Sequence, residues 1–200
     1  MIKCNMGNVL LEVLNARHYL EEYSKRCGRC VKIYLHWTAG NYETCYNEYH
    51  YCIRGNGEIY QTLSPLDICE ATYMRNSGSV SIALCCAYGA SPQWLGEFPP
   101  TDLQIETCAK TMAVISKTLD IPIDIKHFLT HGEAGDNEDG LDIHNPYGRK
   151  TTCERWDLEY LGVEPSIKFD PYNTNNSGGS ILRGKAQFYI DNYTLGDLIR

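Results

Sequence analysis

The segment VKIYLHWTAG, residues 31–40, decides the fold. Its first seven residues are mostly β-branched or aromatic, which suits a buried strand that reaches His36, and TAGN then makes a loop. Upstream, Val9, Leu10, Val13, Leu14, Tyr19, Leu20 and Tyr23 recur at helical spacing before Gly28, so residues 8–26 are expected to form an amphipathic helix. Downstream, YHYCI (49–53) and EIYQ (58–61) flank the turn RGNG, a hairpin signal. SVSIALCCAYG (79–89) reads as a central strand. Residues 99–122 open with Pro and a Thr/Asp cap and place Leu103, Cys108, Met112, Ile115 and Leu119 largely on one helical face. KHFLTHGEAG (126–135) reads as a last short strand running into a long polar loop over 132–150, and CERWDLEYLG (153–162) as a short helix. Strands interleaved with helices predict an α/β domain with a central mixed β-sheet flanked by helices.

The chain has 200 residues, the size of one main domain with a small appendage. Residues 1–162 are expected to form that domain. PSIKFDPYNTNNSGGS has linker composition, and residues 181–200 are expected to add a strand and a short helix, so 163–200 is read as a linker and extension packed on the domain or on a partner. A hydrophobic content of 43% excludes a disordered or fibrous chain. Eighteen Lys and Arg against 25 Asp and Glu give a net charge of −7, which excludes generic attraction to nucleic acid or to an anionic membrane. No apolar stretch approaches the roughly 20 residues of a membrane span. Glu12, Arg17, Glu21 and Glu22 interrupt the N-terminal stretch, so no export signal is read and a cytoplasmic, reducing compartment is expected. Most of the ten Cys should then be free thiols, with Cys69, Cys85, Cys86 and Cys108 acting as small apolar residues. A monomer is expected.

A zinc hydrolase needs three protein ligands and one open position. His36 and His131 at strand ends and Cys153 before the last helix offer that set, and His144 is an alternative within the same loop. IYLHWTAG, NEYHYCIRGNGEIYQ, NSGSVSIALCCAYG, LTHGEAG and CERWDL, in this order over residues 30–161, resemble the zinc-dependent N-acetylmuramoyl-L-alanine amidases, the family of amidase-type phage lysozymes and peptidoglycan recognition proteins. The resemblance implies a mixed sheet flanked by helices with zinc in a surface groove. It implies His36 and His131 as the first two ligands. The third family ligand is Cys or Asp, four residues before an Asp, and Cys153 stands four before Asp157. Tyr49 matches the catalytic Tyr of the hairpin. An assisting Lys or Thr belongs two residues before the third ligand, where Thr151 stands with Lys150 beside it, and both stay open. Some members carry a catalytic Glu in the strand matching SIALCC, where this chain has Ala83.

The implied reaction is hydrolysis of the amide joining N-acetylmuramic acid to L-alanine in peptidoglycan. A phage or prophage endolysin, cytoplasmic until a pore-forming partner releases it, is the leading context. A non-catalytic peptidoglycan-binding module and an antibacterial effector are the alternatives. Trp94, with Phe98, is a candidate to line the substrate groove by stacking on sugar. His50 reads as structural, and Cys27 and Cys30 of CGRC as free thiols at a helix end. Asp136, Glu138, Asp139 and Asp142 read as a solvated loop, because the sixth position counted from Asp136 is Leu141 where a calcium loop needs Gly.

Overall fold

Residues 1–161 and 177–200 are described by the computed structural model of the chain. In order they form β1 (Ile2–Cys4), α1 (Met6–Arg26), β2 (Lys32–Trp37), β3 (Tyr51–Ile53), β4 (Ile59–Gln61), β5 (Ser79–Leu84), α2 (Asp102–Leu119), β6 (Phe128–Thr130), α3 (His131–Gly135), α4 (Gly178–Asn192) and α5 (Leu195–Leu198). The strands make one six-stranded sheet in the order β1-β4-β3-β5-β2-β6. β1, β4 and β3 pair antiparallel, whereas β3, β5, β2 and β6 run parallel. The mixed sheet flanked by helices is the expected architecture.

β2 and β5 are buried along their whole length, as central strands covered on both faces must be. Side chains alternate between faces. Ile33, Leu35 and Trp37 of β2 face the main core, with Val80, Ile82 and Leu84 of β5 and the apolar faces of α1 and α2. Lys32, Tyr34 and His36 therefore project to the opposite face, as does Ala83, the register partner of His36. That second face carries the functional groups.

Local signals set the helix ends. Thr101 caps α2 by accepting from the Gln104 amide at 3.1 Å, while Gln104 Oε1 accepts from the Thr101 amide at 3.0 Å. The buried Gln104 amide group also donates to the carbonyls of Ile53 and Cys85, each at 2.9 Å, and so closes the ends of β3 and β5. Leu103, expected on the buried face, is exposed, and Ile105 takes that place beside Cys108 and Met112. Cys69, Cys85, Cys86 and Cys108 are buried as expected.

Four expectations are corrected. β1 is an additional edge strand that precedes α1. Residues 153–161 form turns instead of a helix, because Cys153 (φ 56°) and Leu158 (φ 57°) adopt left-handed backbone. Residues 181–200 supply helix only: α4 and α5, with no strand. The acidic loop is not wholly solvated: Asp139 is buried against Arg75, and Glu138 pairs with Arg149 and Lys150. α4 buries Leu182 and Ala186 in the main core, and its Arg183 grips the buried Glu133 of α3 through two 2.8 Å hydrogen bonds. The linker expected over 163–176 and the 162/163 boundary lie outside the described residues.

Candidate metal centre

Three elements deliver three potential ligands to one point. His36 comes from the end of β2 and is buried. His131 is the first residue of α3, directly after β6, and not the strand end itself. Thr130 caps α3 by accepting from the Glu133 amide at 3.2 Å, and the Glu133 carboxylate accepts in return from the Thr130 amide at 2.9 Å. Asp157 arrives on the turn segment. Trp156 packs edge-on against Trp37, ring centroids 4.8 Å apart, and since each indole neighbours one ligand in sequence, this contact brings Asp157 to His36. Gly132 allows the same segment to approach α3: a Cβ there would stand 3.1 Å from the Trp156 Cα.

The resulting geometry suits a metal. Nδ1 of His36 and Nδ1 of His131 each lie 3.7 Å from Asp157 Oδ2. The three ligand atoms fall within 4.8 Å of one another. Around a tetrahedral zinc with bonds of about 2.0–2.1 Å, ligand atoms stand roughly 3.3–3.5 Å apart, so a slight contraction seats the ion. Two neutral imidazoles and one carboxylate are also the right donor chemistry. The far nitrogens are held: His36 Nε2 lies 3.2 Å from the Thr72 hydroxyl and His131 Nε2 3.4 Å from the Tyr147 hydroxyl. Nε2–H donation to those oxygens leaves both Nδ1 lone pairs free for a metal. Burial lowers the His36 pKa to about 4 despite the nearby carboxylate, so the ring is neutral at neutral pH. Burial pushes the Asp157 carboxyl up, but the two facing imidazoles of His131 and His36 outweigh it and hold it well below the ordinary carboxylate range. Replacing Thr72 by Val should weaken metal affinity by about 10–100-fold with the fold intact, measured by competition against a chromogenic chelator.

Cys153, the expected third ligand, is not in this group. Its left-handed backbone and the bond from its amide to the Gly148 carbonyl (2.9 Å) hold it in a tight turn. Partial burial and the negative charges of Asp136 and Glu159 raise its thiol pKa. His144 is also outside the group: it accepts from Arg75 Nη1 at 2.6 Å. Lys150 is turned to Glu138, and the Thr151 hydroxyl donates to the Gly148 carbonyl at 3.2 Å, so neither lines the groove. Arg155 does. It stands two residues before Asp157, the offset that the family resemblance implies for an assisting residue relative to the third ligand.

The ligands open onto a groove of about 430 Å³, walled by Thr38, Glu48, Tyr49, Arg155, His131 and Asp157. A second hollow of about 560 Å³, between Tyr73, Met74, Asn76 and Tyr147, continues it past His131. Tyr49 packs against the His36 ring, with centroids 5.2 Å apart. Burial and the nearby negative charge of Asp157 raise its pKa, so the hydroxyl keeps its proton. Trp94 is exposed and lines neither hollow, and Phe98 lines a separate smaller one with Tyr46 and Tyr88. His50 is structural, its Nδ1 accepting from the Ser81 amide at 2.9 Å.

A parallel-centred mixed sheet thus carries two His and one Asp that together could hold a metal ion beside an open groove. The sequence profile of the N-acetylmuramoyl-L-alanine amidases matches residues 27–155, more than half of the chain, and the chain belongs to that family. Solved structures share partial likeness. The endolysin of Thermus scotoductus MAT2119 bacteriophage Ph2119 is 21% identical, with a TM-score of 0.39 over 51% of this chain and 71% of that one. Drosophila peptidoglycan recognition protein SD is 19% identical, with a TM-score of 0.39 over 50% and 68%. The amidase endolysin LysCS from Clostridium intestinale URNW is 16% identical, with a TM-score of 0.40 over 57% and 75%. No curated protein sequence matches the chain.

Proposed function

We propose that this chain is a zinc-dependent N-acetylmuramoyl-L-alanine amidase that cuts the amide between the lactyl group of N-acetylmuramic acid and L-alanine in bacterial peptidoglycan. The observation that carries this reading is the convergence of His36, His131 and Asp157 at the floor of the groove in a chain of this family. A phage or prophage endolysin is the role that fits, with a separate pore-forming protein giving access to the wall. Among the described residues no helix is long and apolar enough to cross a membrane.

Zinc held there supplies a Lewis acid for the amide carbonyl and lowers the pKa of water toward about 7. The rest falls to the chain. Tyr49 Oη, protonated at neutral pH, donates to the carbonyl oxygen as negative charge gathers on it. The Arg155 guanidinium, on the groove wall, adds positive charge to the same oxygen. Thr38 lines the groove, and its buried hydroxyl has no hydrogen-bond partner among the described residues. Burial of His36 and His131 keeps bulk water from competing for the ligand atoms.

The test is digestion of purified cell walls by the zinc-loaded protein, with release of new L-alanine amino termini as the readout and metal content measured alongside. About one zinc in the histidine site and steady amine release are expected. Arg155→Ala should lower kcat by about 10²–10³ with zinc content unchanged, as loss of one oxyanion donor does. A zinc-loaded parent protein that binds walls and releases no amine would overturn the enzymatic reading in favour of a binding module.

A further inference from the structure

A second convergence lies on the same face of the sheet. Cys45 in the loop after β2, Cys52 in β3 and Cys85 just beyond β5 bring their sulfurs within 4.8 Å of one another. The Cys45 and Cys85 sulfurs are 3.6 Å apart. Cys52 is opposite Ala83 in the register, and Ala83 is opposite His36, so the thiols belong to the functional face and not to the main core. With Ala83 and Tyr49 they form a small cluster of their own.

A Cys used only as a small apolar residue has no need to meet two others. Here three distant elements aim sulfur at one point. Thiolates bound to a tetrahedral zinc at about 2.3 Å stand roughly 3.7–3.8 Å apart, close to the observed separation. Among the described residues no imidazole or carboxylate joins the group, and an all-sulfur donor set selects a soft cation. Arg54 lies beside Cys45 and also pairs with Glu43 at 2.8 Å, so it brings positive charge to the edge of the thiol group. Cys45 is half-buried, which gives an ion a way in.

We propose that Cys45, Cys52 and Cys85 form a second metal site, separate from the histidine centre, for a thiophilic d¹⁰ divalent cation such as Zn²⁺ or Cd²⁺, with the fourth position left to solvent. Each S–H bond that breaks gives its proton to water as a metal–sulfur bond forms, and sulfur is not oxidised. An ion there ties the loop that leads to Tyr49 onto β3 and β5.

The experiment is titration of the reduced, metal-free full chain with Cd²⁺, following the ultraviolet thiolate-to-cadmium charge-transfer band. The histidine centre holds no sulfur and is silent in this readout, so the result is independent of the amidase reading. The band should saturate at about one equivalent in the parent chain. It should persist in Asp157→Ala and in a Cys27→Ser/Cys30→Ser double variant, whose exposed CGRC thiols are the competing ligands. It should lose most of its intensity in Cys45→Ser, the least buried of the three, and in Cys85→Ser, with circular dichroism confirming the fold. A band that survives Cys45→Ser in folded protein, one that vanishes with Cys27 and Cys30, or no band in the parent chain would each overturn the proposal.

Discussion

Replacing Asp157 by Ala is expected to abolish metal retention at the histidine centre and to slow amide cleavage by more than about a thousandfold, whereas Cys153→Ala leaves both within about threefold of the parent. The size follows from position: loss of an outer partner costs about 10–100-fold, and loss of a ligand itself costs more because it also removes the polarising charge. Asp157 Oδ2 faces both ring Nδ1 atoms at 3.7 Å, so its removal takes from the group the one carboxylate it has among the described residues. Asp157→Asn refines the test. It keeps the shape against Trp156 and its neighbours and removes the charge, so a fall in metal content there reports ligation rather than misfolding. Zinc content by elemental analysis and amine release from cell walls are the two readouts. Loss of metal in Cys153→Ala, with retention in Asp157→Asn, would reverse the assignment and return Cys153 to the centre.

That contest also marks what the sequence could disclose. β2 and β5 were legible because a strand buried on both faces is a continuous apolar run, and α2 because its cap and periodicity agree. His36 and His131 were legible through their motifs. The approach of Asp157 to them was not, because spacing along the chain says nothing about a turn with left-handed backbone at Cys153 and Leu158. Trp156 was visible as an apolar residue, but its contact with Trp37, which positions Asp157, is non-local. β1 was missed for a similar reason: a three-residue strand, mostly exposed, exists only by pairing with β4. Asp139 looked solvated because its partner, Arg75, lies 64 residues away.

The Arg75–Asp139 pair gives the second large effect, on stability. Both side chains are fully buried. Arg75 Nε and Nη2 fork onto the two Asp139 oxygens at 2.8 and 3.1 Å, and Nη2 also reaches Asn137 Oδ1 at 2.7 Å and the Leu141 carbonyl at 3.0 Å. Tyr34 of β2 donates to Asp139 Oδ2 at 3.2 Å, so the pair fastens the loop after α3 to the sheet. Tyr147, the partner of His131, belongs to that loop. Arg75→Met should lower the unfolding free energy by about 3–5 kcal/mol in urea at pH 7, since it strands a buried carboxylate. Arg75→Met combined with Asp139→Leu should recover much of that loss, because both charges leave together. The pH dependence has a definite sign. Burial pushes the Asp139 carboxyl up, but Arg75 outweighs burial and holds it below its ordinary value. In the parent chain the pair's contribution is therefore full above about pH 4 and fades as pH falls through the lowered folded pKa. In Arg75→Met burial is opposed only by the Tyr34 hydroxyl, the Leu141 amide and the Lys32 charge, so the Asp139 pKa rises from its parent value and mild acid relieves the variant by protonating it. The stability gap between parent and variant should thus narrow from pH 7 toward pH 4, and a gap that widens, or one below about 1 kcal/mol at pH 7, would show that the loop is held by its other contacts and not by this pair.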